Sequence, residues 1–158
     1  RSAYIEQLWK LVLEHEPGNL ELYRELRKQY TADEWLVKRE EIFGKLPAYA
    51  HVERLYKEEK LYDRLLTYVL NSPGLYALQE YEKVLKNDYP EQILNKYKDE
   101  VSKMAVHTSD RKNYAHLVSL LRKMQQMKGG SKLVEQIAAE WKVKYRNRPA
   151  MMDELRKL

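Results

Sequence analysis

The sequence predicts an all-α fold made of antiparallel helical hairpins, and three observations predict it. Apolar residues recur three or four positions apart along nearly the whole chain, the period of one helix face. Only five glycines and five prolines occur in 158 residues, too few for the many tight turns of a β-protein. No run shows the strict alternation of a half-buried strand.

The first helix is expected over about Ala3 to Glu16, with Ile5, Leu8, Trp9 and Val12 on one face. Pro17-Gly18-Asn19 ends it, and Asn19 can cap the next helix, which aligns Leu22, Tyr23, Leu26 and Tyr30. Thr31 and Glu34 have capping-box spacing, so hydroxyl and carboxylate each accept from the other residue's amide. The third helix turns Trp35, Leu36, Ile42, Phe43 and Leu46 inward. Pro47 breaks that pattern, because it has no amide hydrogen and crowds the preceding turn. A helix from Ala48 to about Glu59 buries Val52, Leu55 and Tyr56. Another from Lys60 to Leu70 buries Tyr62, Leu65, Leu66 and Val69, with no strong breaker between the two.

Asn71-Ser72-Pro73-Gly74 is a turn, followed by a helix from about Leu75 to Asp88 with Leu78, Tyr81, Val84 and Leu85 inward. Pro90 opens the next helix where its missing amide costs nothing, and Ile93, Leu94, Tyr97, Val101 and Met104 line its face. Thr108 and Ser109 supply the cap of the following helix, whose stripe is Tyr114, Leu117, Val118, Leu121 and Met124. Gly129-Gly130 suits a left-handed stop and Ser131 restarts the chain. Val134, Ile137, Ala138, Trp141 and Tyr145 face inward from there, and Asn147-Arg148-Pro149 begins a last short helix carrying Met152 and Leu155.

About ten helices joined by short turns imply stacked antiparallel hairpins. The expected architecture is a TPR-like α–α superhelix or an irregular helical bundle, one domain over residues 1–158. Paired apolar positions (Leu55-Tyr56, Val84-Leu85, Leu120-Leu121) recur at irregular intervals of 29 and 36 residues, within the range of helix-hairpin repeats. With 44% hydrophobic and 34% charged residues the chain is neither disordered nor embedded in a bilayer. No apolar run approaches a membrane span, and no signal-peptide pattern opens the chain. The lack of cysteine excludes disulfides and thiolate-held metals, and fits a cytoplasmic setting. Because the chain opens on Arg1-Ser2 and not on Met, a piece of a longer protein is expected.

Tyr114-Ala-His-Leu-Val-Ser-Leu-Leu-Arg-Lys-Met, Lys128-Gly-Gly, Trp141 through Tyr145 and Asn147-Arg-Pro-Ala-Met together resemble a known pattern. It is that of the C-terminal helical region of bacterial SWIM zinc-finger proteins. The resemblance covers about residues 80–158 and is clearest in the last 50. It implies a helical array of the kind that follows an N-terminal zinc module in that family. The family's module uses Cys-x-Cys followed by Cys-x-His, and this chain has no cysteine, so no zinc ligand carries over. The shared motifs are core and turn positions, which speak to fold more than to activity.

Candidate chemistry is sparse. His15, His51, His107 and His116 lack the i, i+4 spacing that puts two metal ligands on one helix face, so neither a metal nor another cofactor is expected. Asp110 and Arg111 could form an anion site at a helix start, but a dipole-complementing Asp110 beside a locally paired Arg111 is the expected arrangement. Lys128-Gly-Gly-Ser has neither the length nor the ending of a phosphate-binding loop, and no nucleophile motif occurs. Thirteen tyrosines accompany a single phenylalanine, which suits rings buried between helices with hydroxyls reaching water, or a tyrosine-lined groove.

Charge is uneven. Residues 111–158 carry 12 Lys/Arg against 4 Asp/Glu, whereas residues 1–110 carry 17 against 20. Within the basic part, Lys142, Lys144, Arg146 and Arg148 form the candidate partner-binding patch, with Trp141 and Tyr145 expected to point into the core. In a continuing helix Lys144 would share a face with Arg148, and Lys142 with Arg146. The expected function is a non-catalytic protein–protein interaction or scaffold module, because stacked hairpins expose long grooves. The alternative is a nucleic-acid-binding accessory module using the basic patch, whose attraction would be salt-sensitive and nonspecific.

Overall fold

The computed structural model describes residues 1–158, and it is all-helical: ten α-helices and no strand. Contacts gather into two compact units, Arg1–Leu65 and Leu66–Leu158, and the division falls within one helix, Tyr62–Asn71. No helix is long and apolar enough to cross a membrane.

The first unit contains α1 (Ser2–Lys10), α2 (Leu20–Arg27), α3 (Ala32–Lys45), α4 (Glu53–Glu58) and the start of α5 (Tyr62–Asn71). The helix α1 runs on into a wider π turn over Leu11–His15, closed where the Glu16 amide donates to the Leu11 carbonyl at 2.7 Å. Gly18 follows with φ +76°, and a Cβ there would lie 2.5 Å from the Ala50 carbonyl oxygen, so glycine is required twice over. Asn19 caps α2 through Leu22 N–H at 3.0 Å, as its position predicts. Thr31 and Glu34 form the full capping box at the start of α3. The core gathers Leu8, Val12, Tyr23, Leu26, Trp35, Ile42 and Leu55.

Three expectations for this unit change. Leu36 does not face inward: with Trp35 and Ile42 setting the buried face, Leu36 is 51% exposed and Val37 70%. The helix expected from Ala48 to Glu59 is shorter, because a 3₁₀ turn (Ala48–Ala50) and a left-handed His51 (φ 56°) precede α4. Finally, the helix expected from Lys60 starts only at Tyr62, because Lys60 adopts φ 59° and the Leu61 amide reaches back to the Tyr56 carbonyl at 2.8 Å, which stops α4.

That stop sets Glu59 among four donors. Its carboxylate accepts from Trp35 Nε1 (2.9 Å), Tyr23 Oη (3.1 Å), Arg27 Nη1 (3.0 Å) and Arg39 Nη1 (3.0 Å), with its side chain only 7% exposed. Burial alone would raise its pKa; the hydrogen bonds outweigh burial and hold it below the ordinary carboxylate value. The same burial, with the Glu59 charge beside it, pushes the Tyr23 phenol up.

The second unit holds the rest of α5 with α6 (Tyr76–Leu85), α7 (Pro90–His107), α8 (Arg111–Gln125), α9 (Gly130–Lys144) and α10 (Pro149–Leu155). α8 lies at its centre, packed against α7, α9 and α10, while α6 packs on α7. Leu85, Ile93, Tyr97, Val101, Leu117, Leu121, Met124 and Val134 are buried there. Lys96 is buried on α7 and satisfied: its ammonium donates to the Ser72 carbonyl (2.7 Å) and to Glu100 (3.1 Å).

The caps differ in one place from the sequence reading. Asp110, not Thr108 or Ser109, caps α8, accepting from Asn113 N–H at 2.9 Å. Thr108 instead donates its hydroxyl back to the Met104 carbonyl at 2.6 Å, closing the end of α7. In α10 the buried methionine is Met151, and Met152 is only half-buried. Gly129 supplies the left-handed stop with φ 77°, and α9 starts one residue early, at Gly130.

Candidate functional site

The basic patch is divided by the fold. α9 ends at Lys144, so Lys142 and Lys144 lie on the helix, Arg146 lies in the following turn and Arg148 caps α10. The expected pairing of Lys144 with Arg148 on one helix face does not form, because Tyr145 leaves the helix with φ −111° and ψ 24°. Arg148 is committed to the fold: Nη1 donates to the Ala105 carbonyl at 2.6 Å and Nη2 to that of Val106 at 3.3 Å. Its guanidinium also lies 4.1 Å from the centre of the Tyr145 ring. Trp141 and Tyr145 are buried, so three exposed cations remain without an exposed aromatic among them.

Arg148→Ala is therefore expected to destabilise the chain by about 1–2 kcal/mol in urea denaturation, through loss of charge-assisted bonds to the end of α7. Lys142→Gln, at an exposed cation with no ion pair, should shift stability by less than about 0.5 kcal/mol. Equal costs for both variants would contradict this division of roles.

The other singled-out residues are also built into the fold. Asp110 is a cap, and Arg111 pairs across 42 residues with Asp153 (3.1 Å) and across 43 with Glu154 (3.2 Å), not locally. His51 meets Glu53 at 3.2 Å, while His107 and His116 border a shallow depression beside Lys103 and Asn113. No three His, Asp or Glu side chains are grouped so as to hold a metal ion. Tyr23 and Tyr97 bury their hydroxyls as well as their rings, donating to Glu59 and Glu82 instead of reaching water. Tyr4, Tyr49 and Tyr76 stand exposed.

A concavity lies at one end of the second unit. Three helix ends make it: Lys83 and Lys86 from the end of α6, Pro90 and Ile93 from the start of α7, and Lys123, Met127 and Lys128 from the end of α8. Asn87 and Gln126 complete a cleft of about 410 Å³ whose lining is mainly apolar. A second, more open depression of about 700 Å³ shares Pro90 and Lys128 with it, and adds Asp88, Glu91, Leu94 and Leu133. Both depressions border the start of α7, a two-part groove with Pro90 and Lys128 common to its parts.

Its charges sort into paired and unpaired. Lys123 pairs with Glu82, and its ammonium lies 5.5 Å from the centre of the Tyr97 ring. Burial opposes that ammonium, but hydrogen bonding with Glu82 and Tyr97 prevails and holds its pKa above the ordinary lysine value. Burial also raises the Tyr97 phenol, whose hydroxyl donates to Glu82 at 3.0 Å. Lys83, Lys86 and Lys128 have no ion-pair partner. Three lysines without an ion pair thus line the same cleft as Ile93, Met127 and Pro90, while Asp88 and Glu91 line the depression that shares Pro90.

Sequence reading passed over these residues, because Lys83 and Lys86 look like ordinary cations at a helix C-terminus. The one available signal was their three-residue spacing, which puts both on one side of α6. Their approach to Lys128 needs the α6–α7–α8 packing. The chain matches no protein-family model, and comparison with curated proteins and with solved structures finds no match.

Proposed function

We propose that this chain is a non-catalytic protein–protein interaction module that holds a segment of another polypeptide in the groove between α6, α7 and α8. One observation carries the reading. The groove has two depressions that share Pro90 and Lys128, and the first is lined mainly by apolar surface, as a segment held by an anchoring side chain requires. The resemblance of residues 80–158 to the helical region of SWIM zinc-finger proteins fits this reading, since it would make the helices the partner-binding part of a larger bacterial protein. A cytoplasmic setting, suggested by the lack of cysteine, belongs to the same proposal.

The test is selection of random displayed dodecapeptides on the immobilised chain, followed by fluorescence anisotropy with the enriched sequences. Asn87→Trp places an indole in the cleft from an exposed position and is expected to weaken the selected peptides at least tenfold. No enrichment, or enriched peptides indifferent to Asn87→Trp, would remove the proposal.

A further inference from the structure

Resting on that reading, we infer that the groove takes an acidic segment: carboxylates over Lys83, Lys86 and Lys128 beside an apolar side chain seated on Ile93 and Met127. Charge complementarity identifies this occupant. Lys83, Lys86 and Lys128 form no ion pair and line one cleft from the ends of two helices, so their like charges favour an anionic occupant. Lys123 adds no net charge, because Glu82 already neutralises it. An anionic ligand therefore gains three attractions and costs the fold no existing ion pair.

The neighbouring depression separates a peptide from a nucleic acid. Asp88 and Glu91 line the depression beyond Pro90 and form no ion pair; Lys128, at the shared edge, is the one cation among its lining residues. A phosphodiester chain carries a charge at every nucleotide and would have to bring phosphates against those carboxylates. A peptide can place acidic residues on the lysine side and neutral or basic ones on the carboxylate side. The groove thus has a polarity that a uniformly charged polymer does not match. The apolar floor adds a second requirement, since burial of one aliphatic or aromatic side chain there supplies affinity that charge in water does not.

The experiment uses the full chain and the peptides enriched by selection. The expected pattern is acidic residues next to a large apolar one. The Kd should rise at least tenfold in Lys83→Glu/Lys86→Glu, with Lys142→Glu/Lys144→Glu unchanged. Circular dichroism of both variants checks that the helices persist. Peptides that are blocked by Asn87→Trp yet carry no acidic bias, or that bind the Lys83→Glu/Lys86→Glu variant as well as the parent, would overturn this inference and leave the polypeptide-binding reading standing. A labelled twenty-residue oligothymidylate that binds at low salt and is lost in the Lys83→Glu/Lys86→Glu variant would overturn the choice of a peptide.

Discussion

Glu59→Ala is expected to lower the free energy of unfolding by about 3 kcal/mol or more, the cost of removing one partner from a buried ion pair. The reason is what remains behind. Arg39 and Arg27 lose a carboxylate at 3.0 Å, and the indole N–H of Trp35 and the hydroxyl of Tyr23 lose their acceptor. Arg39 is the more exposed to harm: its side chain is largely buried, and its Nε already lacks a hydrogen-bond partner. The same carboxylate should govern acid stability. Its pKa in the folded chain lies below the ordinary value near 4.5, so on unfolding it takes up protons at low pH. The stabilisation is therefore fully present above about pH 4.5 and is lost as pH falls through the folded-state pKa. Urea denaturation of Glu59→Gln between pH 3 and 7 should show a lower plateau and a shallower acid decline than the parent. An unchanged acid limb would mean that other paired carboxylates, such as Glu58 and Glu100, carry the effect.

Gly130→Ala is the second large effect. A Cβ at this residue would stand 1.7 Å from the Met124 carbonyl oxygen and 2.8 Å from its carbonyl carbon, both backbone atoms. No rotamer relieves a Cβ clash, so the turn between α8 and α9 must open. The expected loss is about 2–3 kcal/mol, the upper part of the range for overpacking. Because Met127 and Lys128 lie in that turn, the variant should also weaken peptides selected on the groove. A loss below about 0.5 kcal/mol in thermal or urea unfolding would show that the turn adapts without cost.

Much of the fold was legible because its signals are local. Asn19, the Thr31–Glu34 box, Pro90 and Gly129 each act within a few residues, through one side chain and the nearest free backbone groups. The same logic failed where two local solutions competed. Thr108, Ser109 and Asp110 are all good caps; in the structure Asp110 takes the role, while Thr108 closes the end of α7. At Lys60 a non-glycine residue takes the left-handed conformation, which composition gives no reason to expect.

The basic C-terminal segment shows the other limit. Its charge was plain, but the part each cation plays depends on where α9 stops. Arg148 faces two free carbonyls at the end of α7, 42 and 43 residues away, and serves the fold there. Lys83 and Lys86 at the end of α6 and Lys128 after α8 line one cleft only after α6, α7 and α8 have packed.

Helix type, helix number and most helix ends thus follow from hydrophobic period and capping chemistry, which act over one or two turns. The contacts of Glu59 and the lysine-rimmed groove arise from packing between helices distant in sequence. Periodicity identifies the face that a helix buries, but it carries no record of the neighbour that will cover that face.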